Sequence, residues 1–166
     1  MLEYPVLLAF PAAMAFAGAM DLLTLTIPNK ISLALIAAFL AAAVLVGLPA
    51  QVLLMHLAAG ATVLAITAAM FYMGWLGGGD AKLLAAAALW LGFDLMMPFL
   101  LKVTVFGGIL ALAVLIYRRV PIGSLPVPAF AKRLHTAGTG IPYGLAIAGG
   151  ALWIYPATNW FAALTA

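Results

Sequence analysis

Four side chains in this 166-residue chain carry a carboxylate: Glu3, Asp21, Asp80 and Asp94. Two carboxylates held together can hydrolyse a peptide bond. One, ionised, takes a proton from water; the other, protonated, polarises the scissile carbonyl. Within hydrogen-bonding reach both cannot easily ionise, so they share one proton. Other chemistries have less to work with. There is no cysteine, which excludes disulfides, thiolate zinc sites and a cysteine nucleophile. The two histidines, His56 and His135, stand apart from any metal-ligand spacing. No cofactor motif occurs, so neither a cofactor nor a metal is expected.

The segments that must position these carboxylates are membrane helices. Hydrophobic residues make up 68% of the chain and charged residues 7%, against roughly a quarter charged in a soluble domain. So few charges cannot clothe a water-soluble surface, and lipid has to be part of the solvent. The fold class expected is all-α, a polytopic bundle of about six transmembrane helices in one domain covering 1–166. The apolar stretches predict spans over about 5–25, 31–46, 52–73, 80–93, 97–117 and 141–161, with a polar, Pro- and Gly-rich loop over 118–140. Glu3 and the lack of an N-terminal positive charge favour a retained first helix over a cleaved signal. The fourth span is short, so its start is expected inside the membrane depth, lined by protein or a water-filled cavity.

Lys30, Lys82, Arg118, Arg119, Lys132 and Arg133 all fall on one side of this six-span scheme, which identifies it as the cytoplasmic side. Both termini then face outward. Lys102 lies inside the fifth span near its outer end and reads as an interfacial anchor that snorkels outward. Glu3 and Asp94 fall at the outer interface as solvated acids, and His56 lies near that end too. Asp21, one turn before the end of the first span, and Asp80, at the start of the fourth, sit at matching depth on the cytoplasmic side. Ionisable groups at such depth usually face a bundle interior or an aqueous cavity. The bland reading of either alone is a polar helix end or an ion pair of Asp80 with Lys82 or Lys30. The alternative reading of the pair is an ion site in a small transporter or channel.

Small residues surround both acids. Met14, Ala17 and Gly18 precede Asp21 on its face; Leu84, Ala87 and Ala88 follow Asp80. Small side chains let membrane helices approach closely. Gly77, Gly78 and Gly79 allow backbone conformations closed to other residues, suited to aiming Asp80 or passing a substrate strand.

Together these features carry a resemblance. Gly77-Gly78-Gly79-Asp80-Ala81-Lys82-Leu83 resembles the GxGD signature of intramembrane aspartyl proteases, in the version of the type IV prepilin peptidase family. Asp21 lies six residues before Ile27-Pro28-Asn29, the spacing of that family's first aspartate. Ile141-Pro142-Tyr143-Gly144 resembles another recurrent family element. The resemblance implies Asp21 and Asp80 as the catalytic pair. It implies supporting roles for Pro28, Asn29, Gly77, Gly78, Gly79, Lys82, Pro142, Tyr143 and Gly144. Of these, Pro28 is expected to end the first span and Asn29 to cap the second. Lys82 would tune the local field or act as an interfacial cation, and Tyr143 and Gly144 would pack near the site or in the core. The chain looks like the short form that serves Flp/Tad-type pili (the TadV or CpaA type). Longer members carry an extra cytoplasmic region with a Cys-x-x-Cys pair and also methylate the new N-terminus. Here that region and the cysteines are missing, so no N-methyltransferase activity is expected. The partners implied are a pilin precursor, cut at the cytoplasmic boundary of the bacterial inner membrane, and membrane lipids. The basic 118–140 loop suits anionic headgroups. Nucleic acid is not expected, since topology accounts for the cations.

Overall fold

The computed structural model describes the backbone of residues 3–121 and 126–165, with side chains over 7–121 and 126–162. The side chain of Glu3 and loop residues 122–125 lie outside that set. All regular structure among the described residues is helical: α1 (Glu3–Thr24), α2 (Asn29–Leu45), α3 (Ala50–Tyr72), α4 (Gly78–Leu91), α5 (Met96–Arg119), α6 (Ala129–His135), α7 (Tyr143–Ile154), a 3-10 turn (Tyr155–Ala157) and α8 (Asn159–Thr165). By length and composition, Leu7–Thr24, Ala50–Tyr72 and Met96–Arg119 can cross a membrane, and α2 is a shorter apolar helix. The chain folds as a helical membrane bundle.

Proline sets where helices begin. Pro28, Pro49, Pro128 and Pro142 are the N-cap residues of α2, α3, α6 and α7. Proline's fixed φ holds the chain extended there, and the residues after it are free to turn helical. Glycine stops α4: Gly92 adopts φ 68° at its C-cap, a left-handed conformation few other residues accept.

Two features depart from the expected spans. The stretch read as a sixth span over 141–161 is broken. α7 ends at Ile154, a 3-10 turn containing Pro156 follows, and α8 restarts at Asn159. Proline in that turn removes a backbone donor, which accounts for the interruption. The 118–140 loop in turn contains a helix, α6, that its Pro and Gly content concealed.

The short helix α4 is the axis of the bundle. Ala81 and every residue from Leu83 to Leu91 are buried, as expected of a helix apolar all round. It packs against α3, α2 and α7, while α1 packs against α7 and α2, and α5 against α7. These contacts are close because small residues face each other. A Cβ added to Gly18 would meet Ala148 Cβ at 2.9 Å, and one added to Gly150 would meet the Val103 backbone nitrogen at 3.1 Å.

At the C-terminal end of α4 the core is aromatic. Trp90, Phe10 and Phe39 are fully buried and pack with Tyr155 and Trp160, mostly edge-to-face, at centroid distances of 5.1–5.8 Å. Each polar handle finds a backbone carbonyl: Trp90 Nε1 donates to Leu35, Trp160 Nε1 to Trp90 and Tyr155 OH to Leu7. His56 Nδ1 lies 2.8 Å from the Leu89 carbonyl oxygen. Buried polar atoms are thus satisfied while α1, α2, α3, α4 and α8 are tied together. Lys102 lies 4.7 Å from the Trp153 ring centroid, a cation–π contact for its charge. Removing the keystone ring, Trp90→Ala, is expected to cost about 3–5 kcal/mol. A lowered thermal unfolding midpoint of the detergent-solubilised protein checks this.

Candidate active site

The opposite end of the bundle gathers the C-terminal ends of α1, α3 and α5 and the N-terminal ends of α2, α4 and α7. Asp21 is in the last turn of α1 and is 6% exposed. A buried carboxylate needs a donor. It receives one from the Gly144 amide, which donates to Asp21 Oδ2 at 2.6 Å. That amide is free because it opens α7, where the first backbone N–H groups lack intrahelical partners. The other oxygen, Oδ1, is left for a further partner.

Gly144 has to be glycine. An added Cβ would lie 2.9 Å from both Cβ and Oδ2 of Asp21 and 2.7 Å from Ile27 Cδ1. Ile27 is the second contact that fixes the site. Its side chain reaches Gly144 on one side, and its Cβ would lie 3.1 Å from a Cβ at Gly79 on the other. One isoleucine, just past α1, is thus wedged between the starts of α4 and α7. The turn that delivers it is tight: Leu25 takes φ 54°, and its amide donates to the Asp21 carbonyl. A left-handed leucine is costly and is held here by its surroundings.

Asp80 is the third residue of α4, half-buried, in the first helical turn where carboxylates are favoured. Its Oδ2 folds back toward the helix start, 2.9 Å from where a Cβ on Gly77 would stand. Asp80 and Asp21 lie within electrostatic range of each other. Two acids 59 positions apart in sequence thus converge on one end of the bundle.

The glycines act otherwise than expected. Gly77 has φ −68° and ψ 141°, and Gly78 and Gly79 are helical. None needs a conformation closed to other residues. What they supply is absent bulk. Gly77 makes room for the Asp80 carboxylate, Gly78 for the Phe71 ring at 3.2 Å and Gly79 for Ile27.

Asn29 is likewise not a cap. Pro28 holds the N-cap position of α2, with no side-chain capping bond. Asn29 Oδ1 instead accepts from Lys82 Nζ at 2.9 Å, joining the turn after α1 to the start of α4. Lys82 therefore turns to Asn29, not to Asp80. Pro142 is buried. Tyr143 points away from the acids, its ring against Gly107 of α5, where an added Cβ would meet Cε1 at 2.8 Å. Two residues that the sequence named only for other reasons, Ile27 in the Ile27-Pro28-Asn29 element and Arg133 among the cations, help hold the site: Ile27 as the wedge, and Arg133, whose guanidinium donates to the Leu23 carbonyl at the end of α1. Arg118 donates to the Leu134 and Thr139 carbonyls, fastening the α5–α7 connection. His135 bonds to the Val120 carbonyl. Among the described residues no cluster of His, Cys, Asp or Glu has the grouping of a metal site.

This arrangement is that of a helical membrane bundle with two aspartates at one end. A family model described as the type IV leader peptidase family matches residues 8–112, well over half of the chain and inclusive of both aspartates. The chain belongs to the type IV leader peptidase family and is a membrane peptidase. No curated protein and no solved structure matches it significantly.

The close packing makes a sharp prediction. Gly144→Ala forces Asp21 or Ile27 aside, and displacement of about 1 Å at a reacting group costs about a hundredfold in rate. Gly108→Ala, where nothing lies within 4 Å of the added Cβ, leaves activity unchanged. Cleavage rates of the two variants, with helix content checked by circular dichroism, decide it.

Proposed function

We propose that the chain is an aspartic endopeptidase that removes the leader from pilin precursors of the Flp/Tad type. The observation that carries this reading is the meeting of Asp21 and Asp80 at one end of the bundle, braced by glycines and a backbone amide, inside the stretch that matches the family. The family membership favours hydrolysis over an ion-conducting use of the same pair.

The dyad holds one proton between its members. The ionised carboxylate takes a proton from a water molecule, whose oxygen attacks the carbonyl carbon of the scissile bond. The protonated carboxylic acid gives its proton to the carbonyl oxygen, forming a neutral tetrahedral diol. Collapse of the diol breaks the C–N bond, and the proton held by the dyad passes to the leaving amine. The Gly144 amide keeps Asp21 oriented throughout, with Oδ1 directed to the water.

Charge orients the chain in this proposal. Lys30, Lys82, Arg118, Arg119, Lys132 and Arg133 lie on segments at the carboxylate end, and the positive-inside rule makes that end cytoplasmic. The enzyme then sits in the bacterial inner membrane with both termini outward. It cuts where the precursor's apolar helix meets the cytoplasm.

Asp21→Asn and Asp80→Asn keep size and hydrogen bonding but remove the shared proton. Each is expected to leave a co-expressed pilin precursor uncut while the enzyme still accumulates; normal processing by either variant overturns the dyad. Reporter fusions at Gly47 and Gly138 are expected on opposite sides of the membrane.

A further inference from the structure

A second concave feature lies on the face of α4 turned away from the dyad. It is a groove of about 420 Å³ walled by three helices. Each contributes one face at i, i+3, i+4 and i+7: α2 from Asn29 to Ile36, α3 from Leu57 to Leu64, α4 from Lys82 to Leu89. Gly60, Ala85 and Ala86 keep its floor low, while Leu33 and Leu64 stand as exposed rims. All its strongly polar groups are at one end. Lys82 Nζ has spent one donor on Asn29, which is neutral and does not offset its charge. One turn further along α2, Ser32 is 6% exposed and lines the groove, and its hydroxyl makes no hydrogen bond among the described residues.

We propose that this groove holds one anionic phospholipid, with an acyl chain along the leucine-walled trench and the headgroup phosphate on Lys82, Asn29 and Ser32. Three observations select that occupant. The first is charge: Lys82 is exposed at the mouth of the groove, on a helix too short to span the bilayer, and no acid faces it there, which suits an anionic headgroup at the membrane surface. The 14 residues of α4 rise only about 21 Å, against about 30 Å of hydrocarbon. The second is the free Ser32 hydroxyl beside that lysine, a donor suited to phosphate oxygen. The third is width. A helix is about 10 Å across, so this groove could admit only one face of a partner helix and would leave the rest uncovered. A slender chain fits along its whole length. The headgroup would rest on the Lys82–Asn29 contact and so brace the start of α4 against the turn after Asp21.

The test is lipid binding to the purified full chain in detergent, read by native mass spectrometry, and so stands apart from any cleavage assay. Phosphatidylglycerol and phosphatidylcholine with identical acyl chains are titrated separately. The wild type is expected to prefer phosphatidylglycerol about fivefold, the factor for one lysine against one anionic headgroup. Lys82→Gln is expected to bring the two lipids to parity, and Ala61→Trp, which fills the trench, to weaken both. If Ala61→Trp does not fold, Leu33→Trp on the exposed rim answers the same question. Inorganic phosphate is expected not to displace the lipid. Equal binding of both lipids by the wild type overturns the proposal. So does a preference that survives Lys82→Gln, which would move the lipid to the basic surface of α6, or displacement by phosphate alone.

Discussion

The carboxylate end depends on one hydrogen bond, from the first free amide of α7 to Asp21. A carboxylate in the interior of a membrane bundle is among the costliest groups to leave unpartnered. Supplying its donor from backbone avoids a second charged side chain but imposes strict geometry. The Gly144 amide has to come within 2.6 Å of the Asp21 carboxylate, which requires glycine at 144 and small residues where α1 and α7 meet beside it. Gly18 against Ala148 is that requirement repeated one turn further down. Pro142 fixes where α7 starts and so which amide is free. The buried acid thus dictates residue types at positions more than a hundred residues away.

The two ends of the bundle are stabilised by different means. Around Trp90 large rings interlock, and each polar atom is spent on a carbonyl of another element. Around Asp21 and Asp80 there are few large side chains; close backbone approach and one wedged isoleucine take their place. A peptidase needs its acting groups held while a substrate strand still reaches them. Glycine gives both, because a helix start without Cβ atoms packs tightly on one side and presents low relief on the other.

Much of this was legible in the sequence, and the losses have physical reasons. The breaks between spans at Pro28, Pro49 and Pro142 were readable because proline restricts its neighbours, and the acids stood out because nearly everything around them is apolar. The break at Pro156 was hidden inside a run of uniformly apolar residues, and α6 behind prolines at its margin. The triglycine drew attention for the wrong property: sequence displays glycine's conformational freedom, but only packing shows that missing bulk is what matters at 77 to 79. Ile27 stood out only as part of the Ile27-Pro28-Asn29 element, and its role as a wedge was not readable, since in a chain this apolar an isoleucine that wedges two helix starts looks like any that faces lipid. Asn29 before an apolar run reads as a cap, and only the third dimension brings Lys82, 53 residues on, to its side chain.

The cations tie the carboxylate end together in a way composition alone does not suggest. Helix C-termini leave carbonyls without partners, and α1 ends just past Asp21. Arg133 takes the Leu23 carbonyl at the end of α1, two residues beyond Asp21, and Arg118, in the last turn of α5, takes carbonyls of the following connection. Charge at these positions does two tasks with one set of side chains. It supplies the positive flank from which the membrane orientation is proposed, and it caps backbone that would otherwise be orphaned at the rim of the site. Substituting glutamine would retain some of the hydrogen bonding and lose the charge, whereas leucine would lose both. Arg133 thus serves both the proposed orientation and the backbone two residues past Asp21, so deleting it tests the two together.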